Sequence, residues 1–517
     1  MRIMKYIYIT AILISLASLT SCQDELSTEP VGAKTFEQAN SKPTLSSVEN
    51  SVTSSYDMLS NKLNQLAEWD WNGGLVFQNN ILIEDVASDD MEKKWSADGD
   101  QPWIDEINNF TFTATNGGPN GLWKYDYEGI KRTNIALSLL LKSDIEAITG
   151  ISTERKNQLI GEAYFLRSYY YFSLVTNFGD VPLILAPVKT YQEAFDLAVR
   201  APKETIWNQI KTDLEKAKTL LPNSKYSSTT EKWRVSKGSA IALLAKTALY
   251  NKDWANVTAL VSELETTGFY ALNANYFDNF SSEYTDNEVI FSYNHVQQAD
   301  PRKGNGICAP LDWGFFAPSQ DFLNSFEPND PRKLYTVNVN EQWVNKLLGS
   351  TNGANKGNDD APNNKVLIRY ADVLLWKAEA LNETGDYAGA ISIINKIRTR
   401  ARNTVTTVTV REQDPKFPTD PTKTIAVTTV GPPPPAGTLV DRPASGDKAT
   451  VKNWLIAERR AELGFESHRM SDLKRWGIAK QVLTAHGKAF QDKHILYPIP
   501  QSEVDASAGL LKQNPGY

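Results

Sequence analysis

The sequence predicts a mostly α-helical protein, a scaffold of stacked helical hairpins that carries a loop-rich subdomain. Three observations predict it. From Glu154 the chain reads "ERKNQLIGEAYFLRSYYYFSLVTNFGDVP", with Leu159, Ala163, Leu166, Tyr170 and Leu174 on one helical face. The stretch "APKETIWNQIKTDLEKAKTLLP" places Ile206, Ile210, Leu214, Ala217 and Leu221 on a second such stripe. Two later segments, "IALLAKTALYNKDWANVTALVSEL" and "VLLWKAEALNETGDYAGAISIINKI", align with one gap, each reading as helix, turn and helix.

In chain order, the first element is a short positive start, Arg2 and Lys5, followed by an apolar run from Tyr6 to Leu19. The run is shorter than the ~20 residues a spanning helix needs and has the layout of a secretory signal. It ends in Leu19-Thr20-Ser21-Cys22. Leu-x-Ser-Cys resembles the lipobox of bacterial lipoproteins, in which the cysteine becomes the first residue and carries acyl chains. At roughly 0.8 kcal/mol per buried CH₂, two or more chains anchor stably where one is marginal. This predicts a lipoprotein signal over residues 1–21 and lipid attachment at Cys22; the alternative is a plain secretory signal before a stray cysteine. Residues 22–45, rich in Ser, Thr, Glu and Pro, read as a tether, and residues 46–517 as the folded domain.

Helical periodicity begins near Val48. A loop-rich insertion follows at about 68–120, with turn residues and Trp69, Trp71, Trp95 and Trp103 but no helical stripe. Ser152 and Thr153 suit the start of the first striped helix, and Gly179 and Pro182 its end. Pro202 suits the first turn of the second, and Pro222 stops it. In the two similar segments a small residue, Ala245 or Ala378, sits near the middle of the first helix. Asp253-Trp254 or Asp386-Tyr387 occupies the turn. This resembles the tetratricopeptide helix pair, in which the small residue lets the helices approach and the aromatic packs across the turn. A second loop-rich insertion spans about 270–365. Between about 403 and 450, two β-prone runs flank a Pro/Asp segment and end in four prolines, which reads as a protruding hairpin or a disordered insertion. Trp123, Trp207, Trp233, Trp376 and Trp454 lie on helical patterns and are expected in the core.

Composition narrows the function. With 41% hydrophobic and 22% charged residues the chain is of globular type, and its net charge of −7 gives no basic footprint for nucleic acid. Cys22 and Cys308 are its two cysteines. A lipidated Cys22 leaves no internal disulfide, no zinc ligand set is present, and His295, His468, His486 and His494 show no H-x-x-x-H spacing. Thirteen Trp, 21 Tyr and 19 Phe stand out, several of them in Gly/Asn/Asp-rich loops.

The C-terminal third is the most distinctive part: "RYADVLLWKAEALNETGDYAGAISIINKIRTRA", "ERRAELGFESHRMSDLKRWG" and "LYPIPQSEVDASAGLLKQNPGY". With the lipobox and "EAYFLRSYYYFSLVTNFGDVP", these resemble the SusD/RagB family of Bacteroidetes outer-membrane lipoproteins, in order and over nearly the whole mature chain. The resemblance implies a scaffold of tetratricopeptide-like pairs and a loop-rich subdomain carrying the ligand site; no cofactor is expected. It further implies an outer-membrane location facing the cell exterior and a SusC-like TonB-dependent transporter as partner. Asp24 and Glu25 look like the acidic signals that send such lipoproteins to the surface. Residues Thr404 to about Asp447 depart from the pattern, because relatives usually join these helices by a shorter loop.

Glu458 and Glu462, four apart on one helix face, carry an enzyme reading, since paired carboxylates are the equipment of glycoside hydrolysis. They alternate with Arg459, Arg460, Arg469 and Arg475, which would hold them ionised. A fold-locking network is the expected role, and no catalysis. For ligand binding, a pyranose meets proteins through flat aromatics with a few Asn or Asp partners. The candidates are Trp71, Trp95, Trp103 and Asn72 in the first insertion, and Trp313 and Phe315 in "GNGICAPLDWGFFAPSQDF". The family takes ligand aromatics from loops in these two regions. The expectation is a binder of neutral oligosaccharide that serves nutrient uptake. The alternatives are a peptide binder of the RagB type, a surface hydrolase, or a structural lid for the transporter.

Overall fold

The computed structural model describes residues 42–94, 99–226, 231–280, 287–295, 304–405, 407–413, 415–419 and 424–517. Cys22, the signal and nearly all of the tether lie outside the described residues, as does Trp95. The fold is mostly helical, with a helical scaffold on which two loop-rich segments are mounted.

The first stripe forms the helix Thr153–Phe178. The Ser152 hydroxyl accepts from the Arg155 amide at 3.2 Å, and Gly179 ends the helix with φ 75°. This helix is buried on almost every side because it lies between Gly117–Leu140 and Lys203–Leu220. The second stripe forms Lys203–Leu220, with Pro202 at the capping position just before the first turn. Its one buried acid, Asp213, is held by the Arg167 guanidinium at 2.8 and 3.0 Å.

The similar segments form two helix pairs, Lys237–Tyr250 with Trp254–Thr266 and Tyr370–Thr384 with Tyr387–Arg402. Ala245 and Ala378 are fully buried. In each turn the aspartate caps the second helix: Asp253 accepts from the Asn256 amide and Asp386 from the Gly389 amide. The pairs stack through Trp254–Thr266 and Tyr370–Thr384, which gives one continuous core. Trp123, Trp233 and Trp376 are buried in that core and Trp207 and Trp454 pack against its edge. Trp233 lies in a turn before the Lys237–Tyr250 helix, not on a helix.

The two loop-rich segments share a second core built on Val76, Phe77, Ile104, Ile307, Phe316 and Phe322. An antiparallel pairing joins them directly, Met91 opposite Pro318 and Glu92 opposite Ala317. The described parts of the later segment, between Tyr276 and Arg369, are short helices, two-residue strands and one longer antiparallel pair, Val289–Tyr293 with Lys365–Arg369. Between Arg402 and Lys448, strands Thr407–Gln413 and Thr424–Val430 pair antiparallel, and Pro432–Pro435 follow.

The helix Lys448–Leu463 and the turn after it tie scaffold to loops. Arg369, at the end of the strand Lys365–Arg369, reaches Glu462 at 2.7 Å, Glu288 at 2.6 Å and Glu466 at 2.6 Å. Arg332 from the second loop segment joins Glu458 at 2.6 Å and Glu462 at 3.1 Å, and Arg400 pairs with Glu462 and Glu288. Arg460 and Arg469 take Asp90 at 2.6 Å and Asp89 at 2.7 Å from the first loop segment. Burial works against ionising Glu462, but Arg400, Arg369 and Arg332 outweigh it and hold the carboxyl well below the usual glutamate range. A carboxylate so held cannot donate the proton a glycosidase acid must supply. The alternation of acids and arginines is therefore a structural lock.

Two measurements test this lock. Glu462→Gln and Arg469→Ala should each lower the melting temperature, since removing one partner of a buried pair costs about 3–5 kcal/mol. Because the Glu462 carboxyl is depressed in the folded state, its contribution is complete above an unfolded value of about 4.3 and fades as pH falls toward the folded one. Melts at stepped pH should show a constant gap between parent and Glu462→Gln from pH 7 to about 5, narrowing below about 4. A gap that does not change down to pH 3 would contradict the assignment.

Candidate functional site

The first loop segment turns sharply between Asn64 and Asn79. Trp69 has φ 52°, and its amide donates to Asn64 Oδ1 at 2.8 Å. The Trp71 amide donates to the Trp69 carbonyl at 2.9 Å, and the Asp70 carboxylate accepts from the Gly73 amide at 2.9 Å. Asn79 Nδ2 pins the returning arm, donating to the Gly74 carbonyl at 3.0 Å and the Gly117 carbonyl at 3.1 Å. Gly74 has φ 69°, and a Cβ there would lie 1.8 Å from the Gly117 oxygen, so only glycine fits.

The second loop segment brings its own aromatics to the same place. The short helix Cys308–Asp312 ends at Trp313, whose amide donates to the Ala309 carbonyl at 2.9 Å, and Gly314 turns the chain with φ 81°. Trp71 stands at the centre of the meeting point. Its ring centroid lies 6.5 Å from Trp69 with planes 29° apart, 6.0 Å from Trp313 and 5.5 Å from Phe315, the last two edge-on. Such pairs add about 0.5–1.5 kcal/mol each beyond area burial. Trp69 is 52% and Trp313 42% exposed, while Phe315 is 7% exposed and Phe77 is buried beneath Trp71. The arrangement is a rigid aromatic surface with two open indoles, one half-buried indole and a phenylalanine floor.

The candidates from the sequence fall into distinct places. Trp71 and Trp313 come together, and Asn72 is exposed on the same turn. Phe315 supports Trp71 from below and is not itself an open surface. Trp103 belongs to the second core: it is 6% exposed, on the helix Pro102–Asn109, with its indole N–H donating to Gln101 Oε1 at 2.7 Å. Trp69 was not among the candidates, although it is the more exposed of the two open indoles; its signal was the Trp-x-Trp spacing with Trp71. Polar groups ring the cluster. Asp312 pairs with Lys356 at 3.1 Å, and the same ammonium lies 4.5 Å over the Trp343 ring.

The one group of acids and histidine close enough to share an ion, among the described residues, is Asp89, Asp321 and His486. Arg460 already reaches Asp89 at 3.1 Å and Asp321 at 2.7 Å, and Arg469 reaches Asp89 at 2.7 Å. Guanidinium charge fills the role a cation would have there. No helix among the described residues is long and apolar enough to cross a membrane.

Comparison with known proteins bears on this arrangement. The pattern of the SusD family matches residues 323–517, and that of a family described as "Starch-binding associating with outer membrane" matches residues 39–249. The chain belongs to the SusD/RagB family. Among relatives of this SusD-family chain, SusD-like protein P2 of Formosa agariphila is 25% identical and aligns over 80% of this chain and 83% of its own. Among solved structures, a laminarin-binding SusD-like protein superposes with TM-score 0.68 at 24% identity, over 92% of this chain and 100% of that one. Surface glycan-binding protein A from Bacteroides fluxus gives TM-score 0.69 at 22% identity, with 92% and 100% covered. The two family patterns leave residues 250–322 unmatched, so Trp69 and Trp71 lie inside a matched region and Trp313 outside both.

The geometry of the turn is testable without a ligand. Gly74→Ala should displace the Trp69–Trp71 arm and lower the melting temperature, because strain at positive φ adds to an overpacking cost of about 1–3 kcal/mol. Near-ultraviolet circular dichroism should lose part of its tryptophan signal. An unchanged spectrum and melt would show that the arm is not held as described.

Proposed function

We propose that this chain is a cell-surface lipoprotein, anchored in the outer membrane through Cys22, that captures neutral oligosaccharide and passes it to a SusC-like TonB-dependent transporter. The observation that carries the binding step is the aromatic surface of Trp69, Trp71 and Trp313. Its open indoles match the apolar C–H face of a pyranose, and Asn72, Asp312 and Lys356 stand near enough to serve hydroxyls. Trp95 is retained as a further contact. The names of the relatives, one laminarin-binding and others surface glycan-binding, support a carbohydrate ligand. The Asp312–Lys356 pair is neutral, Glu68 and Asp70 flank Trp69 with negative charge, and with the chain's net charge of −7 this disfavours an acidic polymer. With no spanning helix among the described residues, the captured glycan needs a separate transporter to cross the membrane.

Titration calorimetry against laminarin, soluble starch and a panel of neutral oligosaccharides tests the site. For the best ligand, Trp69→Ala and Trp313→Ala should each weaken binding about thirtyfold, the 2 kcal/mol or more typical of a central aromatic anchor. Affinity should change little between 50 and 500 mM salt, because no counterions are released. Folded variants that bind like the parent would remove the platform. Peptide binding without glycan binding would favour the RagB-type reading, and release of reducing ends would favour a hydrolase. The anchor has its own test. Cys22→Ala should leave the membrane fraction or stay unprocessed, and unchanged processing, fractionation and surface display would refute lipidation.

A further inference from the structure

Next to the open indole of Trp313 the chain holds an ion pair that is fixed in place yet partly open to water. Asp312 is the last residue of the short helix Cys308–Asp312 and directly precedes Trp313; its Oδ1 meets the Lys356 ammonium at 3.1 Å. The same ammonium lies 4.5 Å over the ring of Trp343, which packs against the second core. The loop 349–360 that carries Lys356 is tied down along its length. The Lys356 amide donates to the Gly353 carbonyl at 3.0 Å, and Asn355 Nδ2 donates to the Leu348 carbonyl at 2.6 Å. Gly353 lies so close to the Trp343 ring, and Gly357 to the Asp312 carboxylate, that a Cβ on either would come within 2.9 Å. Even so, the Lys356 side chain is 42% and the Asp312 side chain 33% exposed. A pair this open to water adds little to stability. What it supplies is one donor and one acceptor at a set spacing, ordered before any ligand arrives.

The chemistry of that pair selects a feature of the ligand. An ammonium only donates and a carboxylate only accepts, whereas a hydroxyl does both. Together the two groups suit two neighbouring hydroxyls, one accepting from Lys356 and the other donating to Asp312. Both bonds are charge-assisted, and a hydrogen bond between the two hydroxyls closes the circuit and polarises each member. When a pyranose lays its C–H face on an indole, its equatorial hydroxyls point outward along the ring edge and its axial ones stand off the face. Polar groups beside the indole therefore meet equatorial hydroxyls.

We infer that Asp312 and Lys356 act as one unit that reads two adjacent, free, equatorial hydroxyls on the sugar stacked against Trp313. The inference rests on the glycan-binding reading above and adds a linkage to it. In a 1,4-linked chain of glucose or xylose, every internal unit keeps O2 and O3 free and equatorial. In a 1,3-linked glucan O3 is used by the linkage, and the O2 and O4 that remain are not adjacent. In a 1,4-linked mannan O2 is axial. The ligand class that fits is a chain with a free equatorial O2–O3 pair in each unit, as in 1,4-linked glucans and xylans. A site built to hydrogen-bond a hydroxyl discriminates strongly against an analogue that cannot supply it, because its polar groups are then left unpaired.

Titration calorimetry with hexasaccharides of equal length tests this. The α-1,4-glucan, the β-1,4-glucan and the β-1,4-xylan form one group, the β-1,3-glucan and the β-1,4-mannan the other. For the parent, the best of the first group should bind about tenfold or more tighter than either of the second. With that ligand, Asp312→Ala and Lys356→Met should each weaken binding about tenfold, as loss of a hydrogen bond to a charged group does. The double variant should stay within about threefold of either single one, because partners in one network are not additive. Near-ultraviolet circular dichroism like the parent's confirms that Trp313 and Trp343 keep their places, and the comparison on the parent decides the ligand class even where a variant unfolds. A parent that binds the 1,3-linked glucan or the mannan as tightly as the best 1,4-linked chain overturns the inference and leaves glycan capture standing. Folded variants that bind like the parent do the same. Losses that multiply in the double variant overturn the single unit and make Asp312 and Lys356 separate contacts. A parent that binds none of the five overturns this inference, and the wider panel with laminarin and soluble starch decides separately whether glycan capture falls with it.

Discussion

The rest of the structure depends on a buried knot of charge around Glu462. An ionised carboxylate taken out of water costs several kcal/mol unless its charge and lone pairs are met. Glu462 meets this condition through arginines from three separate places in the chain: Arg332, Arg369 and Arg400. Each of these arginines is itself shared with a second acid, Arg332 with Asp330, Arg369 with Glu466, Arg400 with Glu288. No member can move without leaving a partner unpaired. Apolar packing tolerates small slides between surfaces, but shared bidentate pairs fix distance and direction together. The knot thus sets the second loop segment on the scaffold to within hydrogen-bond tolerance, and Asp89 and Asp90 do the same for the first through Arg460 and Arg469.

That precision matters because the aromatic surface has no single parent element. Trp69 and Trp71 come from one loop segment and Trp313 from another more than two hundred residues later. Their edge-on contacts near 6 Å exist because both segments are fixed to the same frame and share the core around Phe77 and Phe316. A platform held rigid before the ligand arrives loses little conformational freedom on binding, so more of the contact energy appears as affinity. Large flat side chains with few rotatable bonds serve the same end.

How far the sequence revealed this follows from which interactions are local. The helices at Thr153–Phe178 and Lys203–Leu220 write their buried faces into the chain at a period a reader can see, and Asp253 and Asp386 mark two turns by capping chemistry alone. The Glu/Arg alternation announced a charge network, but its partners Arg332, Arg369 and Arg400 lie up to 130 residues away, and nothing local identifies them. In the loops, burial is decided by tertiary contact. Phe315 and Trp313 are two residues apart in the same Gly/Pro-rich stretch, yet one is floor and the other is surface. Trp103 could have been placed correctly: Pro102 at a helix start with Trp103, Ile104 and Ile107 in step is a short amphipathic helix, obscured by the Gly99–Asp100 turn signal before it.

Exposed apolar surface is the other constraint on a protein of this kind. Single exposed aliphatics such as Leu45 or Ile148 are ordinary, but contiguous ones invite association. Here the turn between Leu66 and Leu75 carries Trp69 and Trp71, and its two ends line the groove beneath the Leu185–Val199 loop. Surfaces kept bare at such a cost to solubility are tolerated where something covers them in use. One face offers flat rings with polar neighbours, the other an aliphatic groove whose rim pairs Lys124 with Glu503 and Lys131 with Glu128, and these chemistries do not suit the same ligand. The Trp69–Trp71 half of the aromatic surface and the groove share that arm, so any coupling between what they bind must act equally in both directions.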